Sequence, residues 1–358
     1  MHPSRVIRGR HSSLLAGRRL VVGVSGSIAA VEVVRIIREL IRHGAEVRAV
    51  MSPDAARIIT PETLQFATGV PPITSLTGDV EHVSLFGPGP ERSDLYLIAP
   101  ATANTLSKIA HGIDDTVVTS CASVALGSGV PVMVAPAMHE AMGRNPAIRE
   151  NLERLRSFGV AIIEPSAAEG EEKLASPEEI AAEVLRTLAR GPWVGRRIVV
   201  VGGASREPID AVRSVTNESS GAMAVSLARQ AFFRGAETHL WLGATSVAVP
   251  GFLSVERWNG VGDLLALARR RSGRIRHAAV LLVPAALSDY TTRARKGKIS
   301  SRSHAAVRVD LIRAPKVLSV LRKALPSPGI LVGFKLEAGL DPAGLEAAAR
   351  RLAEEYRL

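Results

Sequence analysis

Two stretches of the sequence carry residues of the types and spacing that hold phosphates. In the first, Ser25-Gly26-Ser27-Ile28-Ala29-Ala30 follows an apolar run from Leu20 to Val24. Backbone amides and serine hydroxyls at such a strand-to-helix turn form an anion pocket. The turn is not a G-x-G-x-x-G loop, so flavin mononucleotide or another single phosphate suits it better than NAD, and a tight turn without ligand is the plain alternative. Further on, Asp94 to Pro100 reads as a buried strand, and Ala101-Thr102-Ala103-Asn104-Thr105 as the small, polar start of a helix. Ligands dock at such strand ends. His82 stands alone before an apolar stretch, where a histidine is more often structural than catalytic.

The second stretch runs from Gly202 to Gly221. A strand enters an irregular loop from Ala204 to Ser219, and a helix opens at Ser219-Ser220-Gly221. Loops of that length inside a compact α/β unit are usually functional. Its Arg206 and Arg213, with the serine-rich helix start, suit a phosphate or a carboxylate. Downstream, Ser288-Asp289-Tyr290 follows another apolar strand, and Arg293, Arg295, Lys296 and Lys298 crowd a short basic segment. Cations beside a strand end suit a triphosphate, and a solvated charge run would look similar.

The elements that must position these residues repeat. Arg18-Arg19-Leu20-Val21-Val22-Gly23-Val24 and Arg196-Arg197-Ile198-Val199-Val200-Val201-Gly202 share one design, a basic step into an apolar strand that meets a small-residue turn. Strand-like runs at 46–51, 94–99, 130–135 and 160–164 alternate with helical patterns at 28–43 and 146–158. The second half repeats this, with strands at 237–242, 277–283 and 330–334 and helices at 219–234, 261–271, 315–323 and 342–356. The reading is two doubly wound, Rossmann-like α/β domains in series, 19–190 and 191–358, joined near Arg190-Gly191-Pro192-Trp193. Residues 1–18, with four arginines among serines and histidines, read as a flexible basic tail outside the fold.

Composition narrows the partners. With 358 residues, 46% of them hydrophobic, the chain can bury two cores. A net charge of +11 invites nucleic acid, yet aromatics are only 4%, too few for base-stacking platforms, so nucleic acid is not expected. No apolar run is long enough for a membrane span. The single cysteine, Cys121, lies in an apolar helical pattern and reads as a core residue. One cysteine forms no internal disulfide, which suits a reducing compartment, with the cytoplasm as the default.

The first half resembles the flavin-containing cysteine decarboxylase family, in its phosphopantothenoylcysteine decarboxylase branch. The resemblance covers about 19–185 and rests on Gly23-Val-Ser-Gly-Ser-Ile-Ala-Ala30, His82 followed by Leu85, Ala99-Pro-Ala-Thr-Ala-Asn-Thr105 and Ala135-Pro-Ala-Met138. It implies bound FMN. Gly26, Ser27 and Ser52 would hold its phosphate, Thr102, Asn104 and Met138 would line the flavin, and His82 would be the active-site histidine. Where the family pattern has an asparagine gripping the substrate carboxylate, this sequence has His139, which can still donate a hydrogen bond. The flap that usually carries a cysteine proton donor reads Pro165 to Lys173 with no cysteine, leaving Glu171, Glu172 or Lys173 as acids, or an impaired decarboxylase half.

The second half resembles the phosphopantothenate-cysteine ligase family, which is often fused behind the decarboxylase in this order. From Gly203 to Gly221 it matches G-x-T-x-E-x-I-D-x-V-R-x-I-T-N-x-S-S-G nearly throughout, with Ser205 at the threonine. The resemblance implies activation of a carboxylate by CTP or ATP with magnesium, Asn217 as an oxyanion donor, and Asp289, Lys298, Phe334 and Lys335 at the nucleotide. The usual K-I-K-K reads Lys298-Ile299-Ser300-Ser301, and the chain stops at Leu358, where the family continues into another strand. The implied function is two consecutive steps of coenzyme A biosynthesis, in a homo-oligomer that is a multiple of three. The rival readings are a ligase with an inert flavin domain, a flavin-domain regulatory protein, and flavin prenyl transfer.

Overall fold

The computed structural model describes residues 1–164, 174–300 and 306–358, so the flap from Pro165 to Lys173 lies outside the described residues. The chain divides into two compact units, Met1–Leu188 and Ala189–Leu358.

In the first unit, β1 (Arg19–Val24), β2 (Glu46–Met51), β3 (Leu95–Ala101), β4 (Val132–Pro136) and β5 (Ala161–Ile162) form one sheet in the order β2-β1-β3-β4-β5. Every pairing is parallel. Helices cover both faces of such a sheet, which is why β3 and β4 are apolar and buried throughout rather than alternating. The order 2-1-3-4-5 is that of flavodoxin-like folds, with its topological switch between β1 and β3. The expected helix from Ile28 opens as a single 3-10 turn, Ile28–Glu32, before the α-helix Val33–Arg42 begins. Ile36, Ile37, Leu40 and Ile41 give that helix one buried stripe.

Residues 1–18 are not a flexible tail. They include the helix Pro3–Ile7, and Ile7 and Leu15 are buried. Backbone bonds from Gly9, His11 and Leu15 to the carbonyls of Ile41, Arg42 and His43 fasten the segment to the end of the helix Val33–Arg42. Arg18 closes it with a 2.7 Å ion pair to Asp94. Two isolated apolar side chains outweigh the basic, serine-rich composition.

In the second unit, β6 (Arg197–Gly202), β9 (Glu237–Leu242), β10 (Ser254–Arg257), β11 (Val280–Val283) and β14 (Ile330–Gly333) form a sheet in the order β10-β9-β6-β11-β14, again wholly parallel. Numbered within the unit this is 3-2-1-4-5, the Rossmann order, with the switch between β6 and β11. Two short antiparallel ribbons complete the unit. One joins β7 (Arg206–Pro208) to β8 (Ser214–Thr216), and the other β12 (Tyr290–Thr292) to β13 (Leu311–Arg313). The loop expected to be irregular from Ala204 to Ser219 is therefore largely a hairpin. Among the described residues no helix is long and apolar enough to cross a membrane.

Candidate active sites

The C-terminal ends of β1, β2 and β3 gather four of the expected residues. Ser25, fully buried, donates its hydroxyl to the Pro100 carbonyl at 2.7 Å and accepts the Thr102 amide at 2.9 Å, so it spans the switch between β1 and β3. Thr102 then caps the helix Ala103–Ala110 by accepting the amide of Thr105. Gly26 comes next, at a point where a Cβ would fall on that of Asp54, so only glycine lets the two loops approach. Ser27 and Ser52 accept the amides of Ala29 and Ala55, at 3.3 and 3.2 Å. A serine that accepts in this way still has its hydroxyl hydrogen for a phosphate oxygen.

The other flavin-side residues sit around this crevice on separate elements. Asn104 is exposed in the first turn of the helix that Thr102 caps. Met138 packs partly buried against the core just past β4. His139 caps the short helix Glu140–Gly143, its Nδ1 accepting the Ala141 amide at 3.1 Å. An Nδ1 that accepts leaves the neutral ring proton on Nε2, which makes His139 a donor toward solvent, as gripping a carboxylate requires. His82 lies on the helix Glu81–Phe86, and its Nδ1 is buried without a hydrogen-bond partner. A buried, unpartnered ring nitrogen is costly and calls for a partner such as a water or an ion, or for a catalytic role. No hydrogen bond among the described residues joins His82 to the serines. Cys121 is buried, and that burial pushes its thiol up to about 12, so it is an inert core group.

In the second unit the same place is again held by a serine. Ser205, fully buried, accepts the Ser288 amide at 2.9 Å on its Oγ and donates its own amide to Ala286 at 3.1 Å, spanning β6 and the end of β11. Its carbonyl accepts the hydroxyl of Thr216 at 2.8 Å. Asn217 and Asp289 are the next residues after Thr216 and Ser288, so this one serine brings both to the switch between β6 and β11. Gly202 permits the close helix packing there, since a Cβ would overlap the Cβ of Ala224. Phe334 and Lys335 come directly after β14, whose Gly333 lies beside Val283 of β11.

Two buried carboxylates, which the sequence signature contains but to which the sequence reading assigns no role, build the walls. Asp210 accepts the amides of Val212, Arg213 and Ile299 and pairs with the Arg213 guanidinium at 2.7 Å. Those backbone bonds, led by Val212 and Ile299, hold its carboxyl at about 2. Asp210 thereby ties the basic segment carrying Lys298 to the turn of the β7-β8 ribbon. Glu207 accepts the Val261 amide at 2.9 Å and the Thr291 hydroxyl at 2.6 Å, joining the ribbon to β12 and to the helix Val261–Arg270. Arg213, expected to face a phosphate, is spent on Asp210 and on the Ile299 carbonyl. Asp289 pairs with Lys316 and Lys335 with Glu337, each at 2.6 Å, so both are exposed groups that would exchange partners on binding.

Comparison with known proteins places the architecture. The Flavoprotein family profile matches residues 8–189, and that of the DNA/pantothenate metabolism flavoprotein C-terminal domain matches 193–355. A curated relative in Thermococcus kodakarensis, the coenzyme A biosynthesis bifunctional protein CoaBC, is 43% identical over 99% of this chain and 87% of its own length. The CoaBC of Methanocaldococcus jannaschii is 34% identical, over 100% of this chain and 86% of its own. The chain belongs to the bifunctional coenzyme A biosynthesis family. It is an enzyme with a decarboxylase domain in front of a ligase domain. A solved FMN-dependent cysteine decarboxylase, SpaF, is 36% identical over 45% of this chain and 91% of its own, with a TM-score of 0.40.

For a member of this bifunctional family, Asp210, Glu207 and Lys316 are the residues to which the sequence reading assigns no role. The first two lie in the E-x-I-D segment of the signature and carry a usable signal, acidic side chains in an otherwise basic neighbourhood. Lys316 has no signal, because its partner Asp289 is set by the β12-β13 ribbon, whose Asp289 carbonyl accepts the Ala314 amide.

Proposed function

We propose that the second unit joins 4'-phosphopantothenate to cysteine with CTP or ATP and magnesium, and that the first, holding FMN, decarboxylates the 4'-phosphopantothenoylcysteine formed to 4'-phosphopantetheine. The observation that carries this reading is the buried serine at each topological switch. Ser25 gathers Gly26, Ser27 and Thr102 at one, and Ser205 gathers Asn217 and Asp289 at the other. Ligands of open α/β sheets bind at those two points.

The residues of the first unit fit a flavin mononucleotide. The hydroxyls of Ser27 and Ser52 and the amides around Gly26 would hold its phosphate, while Thr102, Asn104 and Met138 would line the ring. When bound, FMN supplies a hydride acceptor that takes and later returns the electrons of the cysteine moiety, which makes loss of CO2 easy. Around it, His139 donates Nε2–H to the substrate carboxylate, and His82 offers its imidazole to hold or take a proton of the substrate. The acid that the family places on a flap cysteine falls to Glu171, Glu172 or Lys173.

In the second unit Asn217 donates its amide to the oxygen that gains charge as cysteine attacks the acyl-nucleotide. Lys298, Lys335, Phe334 and Asp289 would hold the nucleotide, and magnesium would screen its phosphates. The domains act as the units 19–190 and 191–358, with residues 1–18 now counted in the first. We further propose a cytoplasmic homo-oligomer whose copies number a multiple of three.

One observation favours a second reading, a ligase carrying an inert flavin domain: the flap has no cysteine, and the thiol of Cys121 is buried at about 12. Supplying the FMN-loaded protein with 4'-phosphopantothenoylcysteine and measuring CO2 separates the two. Release that disappears in His82→Asn supports the proposal. An intact, FMN-loaded protein that releases none establishes the inert domain.

A further inference from the structure

Away from both switches, the segment 1–18 and the helix Val33–Arg42 bring together three side chains that the two reactions do not use. His11, Glu39 and His43 each present one ligand atom, and these atoms lie within 4.8 Å of one another. Glu39 Oε1 is shared: His11 Nδ1 stands 2.9 Å from it and His43 Nε2 3.5 Å. We propose that this is a binding site for a borderline divalent cation of the zinc class, which staples residues 1–18 to the first unit.

The donor set is right for such an ion. Two imidazoles and one carboxylate suit zinc, whereas magnesium and calcium prefer oxygen alone. Around a tetrahedral zinc, with bonds of about 2.0–2.1 Å, donor atoms lie roughly 3.3 Å apart. The two separations seen here fall on either side of that value. The fourth position is left to water.

The surroundings orient the ligands. Ser12 Oγ holds the other ring nitrogen of His43, Nδ1, at 2.8 Å, the outer partner that a metal-binding histidine ordinarily has. Arg42 takes the second carboxylate oxygen, Oε2, at 3.1 Å, which leaves Oε1 to face the imidazoles. The backbone is fixed as well, since the amides of His11 and Ser12 both donate to the Arg42 carbonyl and that of Leu15 to the His43 carbonyl. His43 is buried, and Glu39 is largely shielded, which excludes much of the competing water. Burial pushes the Glu39 carboxyl up, but hydrogen bonds from both histidines and from Arg42 outweigh it and hold the group at about 2.

The position defines the role. The cluster lies at the end of the helix Val33–Arg42, just before β2 begins, on the side of the sheet where the strands start and opposite the flavin crevice at their C-terminal ends. A cation there would tighten the N-terminal segment and leave turnover unchanged.

The test uses the full-length protein, stripped with a chelator and titrated with Zn2+ by calorimetry, with Mg2+ as the control. The variants are His11→Ala, and His11→Gln, which keeps a hydrogen bond to Glu39 and so guards against a folding defect. The proposal predicts one Zn2+ per chain with an affinity that falls by more than about a hundredfold in both variants, since losing a ligand costs more than the roughly tenfold to hundredfold of losing an outer partner. It also predicts a zinc-dependent rise in melting temperature in the wild type only, with ligation equal in all three proteins. Zinc affinity unchanged in both variants, or no zinc binding by the wild type, overturns it.

Discussion

Ser25 and Ser205 occupy the same position in two differently ordered sheets, and the path of the chain beyond each of them differs. After Ser25 the chain turns at once through Gly26 and Ser27, leaving a shallow cradle of serine hydroxyls and amides between loops that only glycine lets approach. After Ser205 it runs out as the β7-β8 ribbon before returning to the helix Ala222–Phe233, and two buried carboxylates pin that ribbon down. On the proposed function, the first crevice would seat a single phosphate beside a flat ring, and the second, fenced by an extended wall, would enclose two substrates and a triphosphate. The serine at the switch would then set where chemistry happens, and the length of chain after it how large the reactants are.

Removing the group assigned to transition-state charge should break the comparison hardest. Asn217→Asp is expected to lower ligation by about 100-fold to 1000-fold while decarboxylation of supplied 4'-phosphopantothenoylcysteine is retained. Separate assays of the two half-reactions check this, and unaltered ligation would remove Asn217 from its role.

Next in size is Gly202→Ala. The new Cβ meets Ala224 on the helix behind β6, an overpacking expected to cost about 1–3 kcal/mol. All three tryptophans, Trp193, Trp241 and Trp258, belong to the second unit, so urea unfolding monitored by tryptophan fluorescence reads that unit alone. The first unit should be unaffected.

Ser25→Ala and Ser205→Ala sharpen the comparison at its centre. Each leaves a buried amide, of Thr102 or of Ser288, without its acceptor, a loss of about 1–2 kcal/mol in its own unit. Nearly equal losses are expected from unfolding curves read in each unit. A large loss in only one would mean that the two serines are not equivalent.

The smallest effect is a dependence on acid. The Asp210 carboxyl sits at about 2 when folded, below its ordinary 3.8, so its contribution is complete above about pH 5 and is lost as the pH falls through 2. The stability difference between the wild type and Asp210→Asn should therefore be constant from neutral pH to about pH 5, then shrink towards pH 2. A difference that grows on acidification would contradict the assigned bonds.

Much of this is legible in the residues. The two apolar strands with small-residue turns announce paired α/β units, because a parallel strand buried on both faces must be apolar throughout. Gly26, Ser27, Ser52, Thr102, Asn217 and Asp289 stand on the loops that the family resemblance names. Strand order is not legible, and it decides that Ser25 faces Pro100 and Ser205 faces Ala286; those partners are far apart in the chain. The β7-β8 hairpin escapes because the stretch from Arg206 to Thr216 lacks apolar alternation and is held by Asp210 and Glu207 instead. Residues 1–18 depart from expectation for a related reason, since composition averages over a segment while Ile7 and Leu15 act one at a time.

The most direct test of two cooperating sites is mass spectrometry of the products after the FMN-loaded protein meets 4'-phosphopantothenate, cysteine, magnesium and either CTP or ATP. The account predicts 4'-phosphopantetheine, with 4'-phosphopantothenoylcysteine as a transient. Accumulation of 4'-phosphopantothenoylcysteine without 4'-phosphopantetheine, or no product at all, would contradict it.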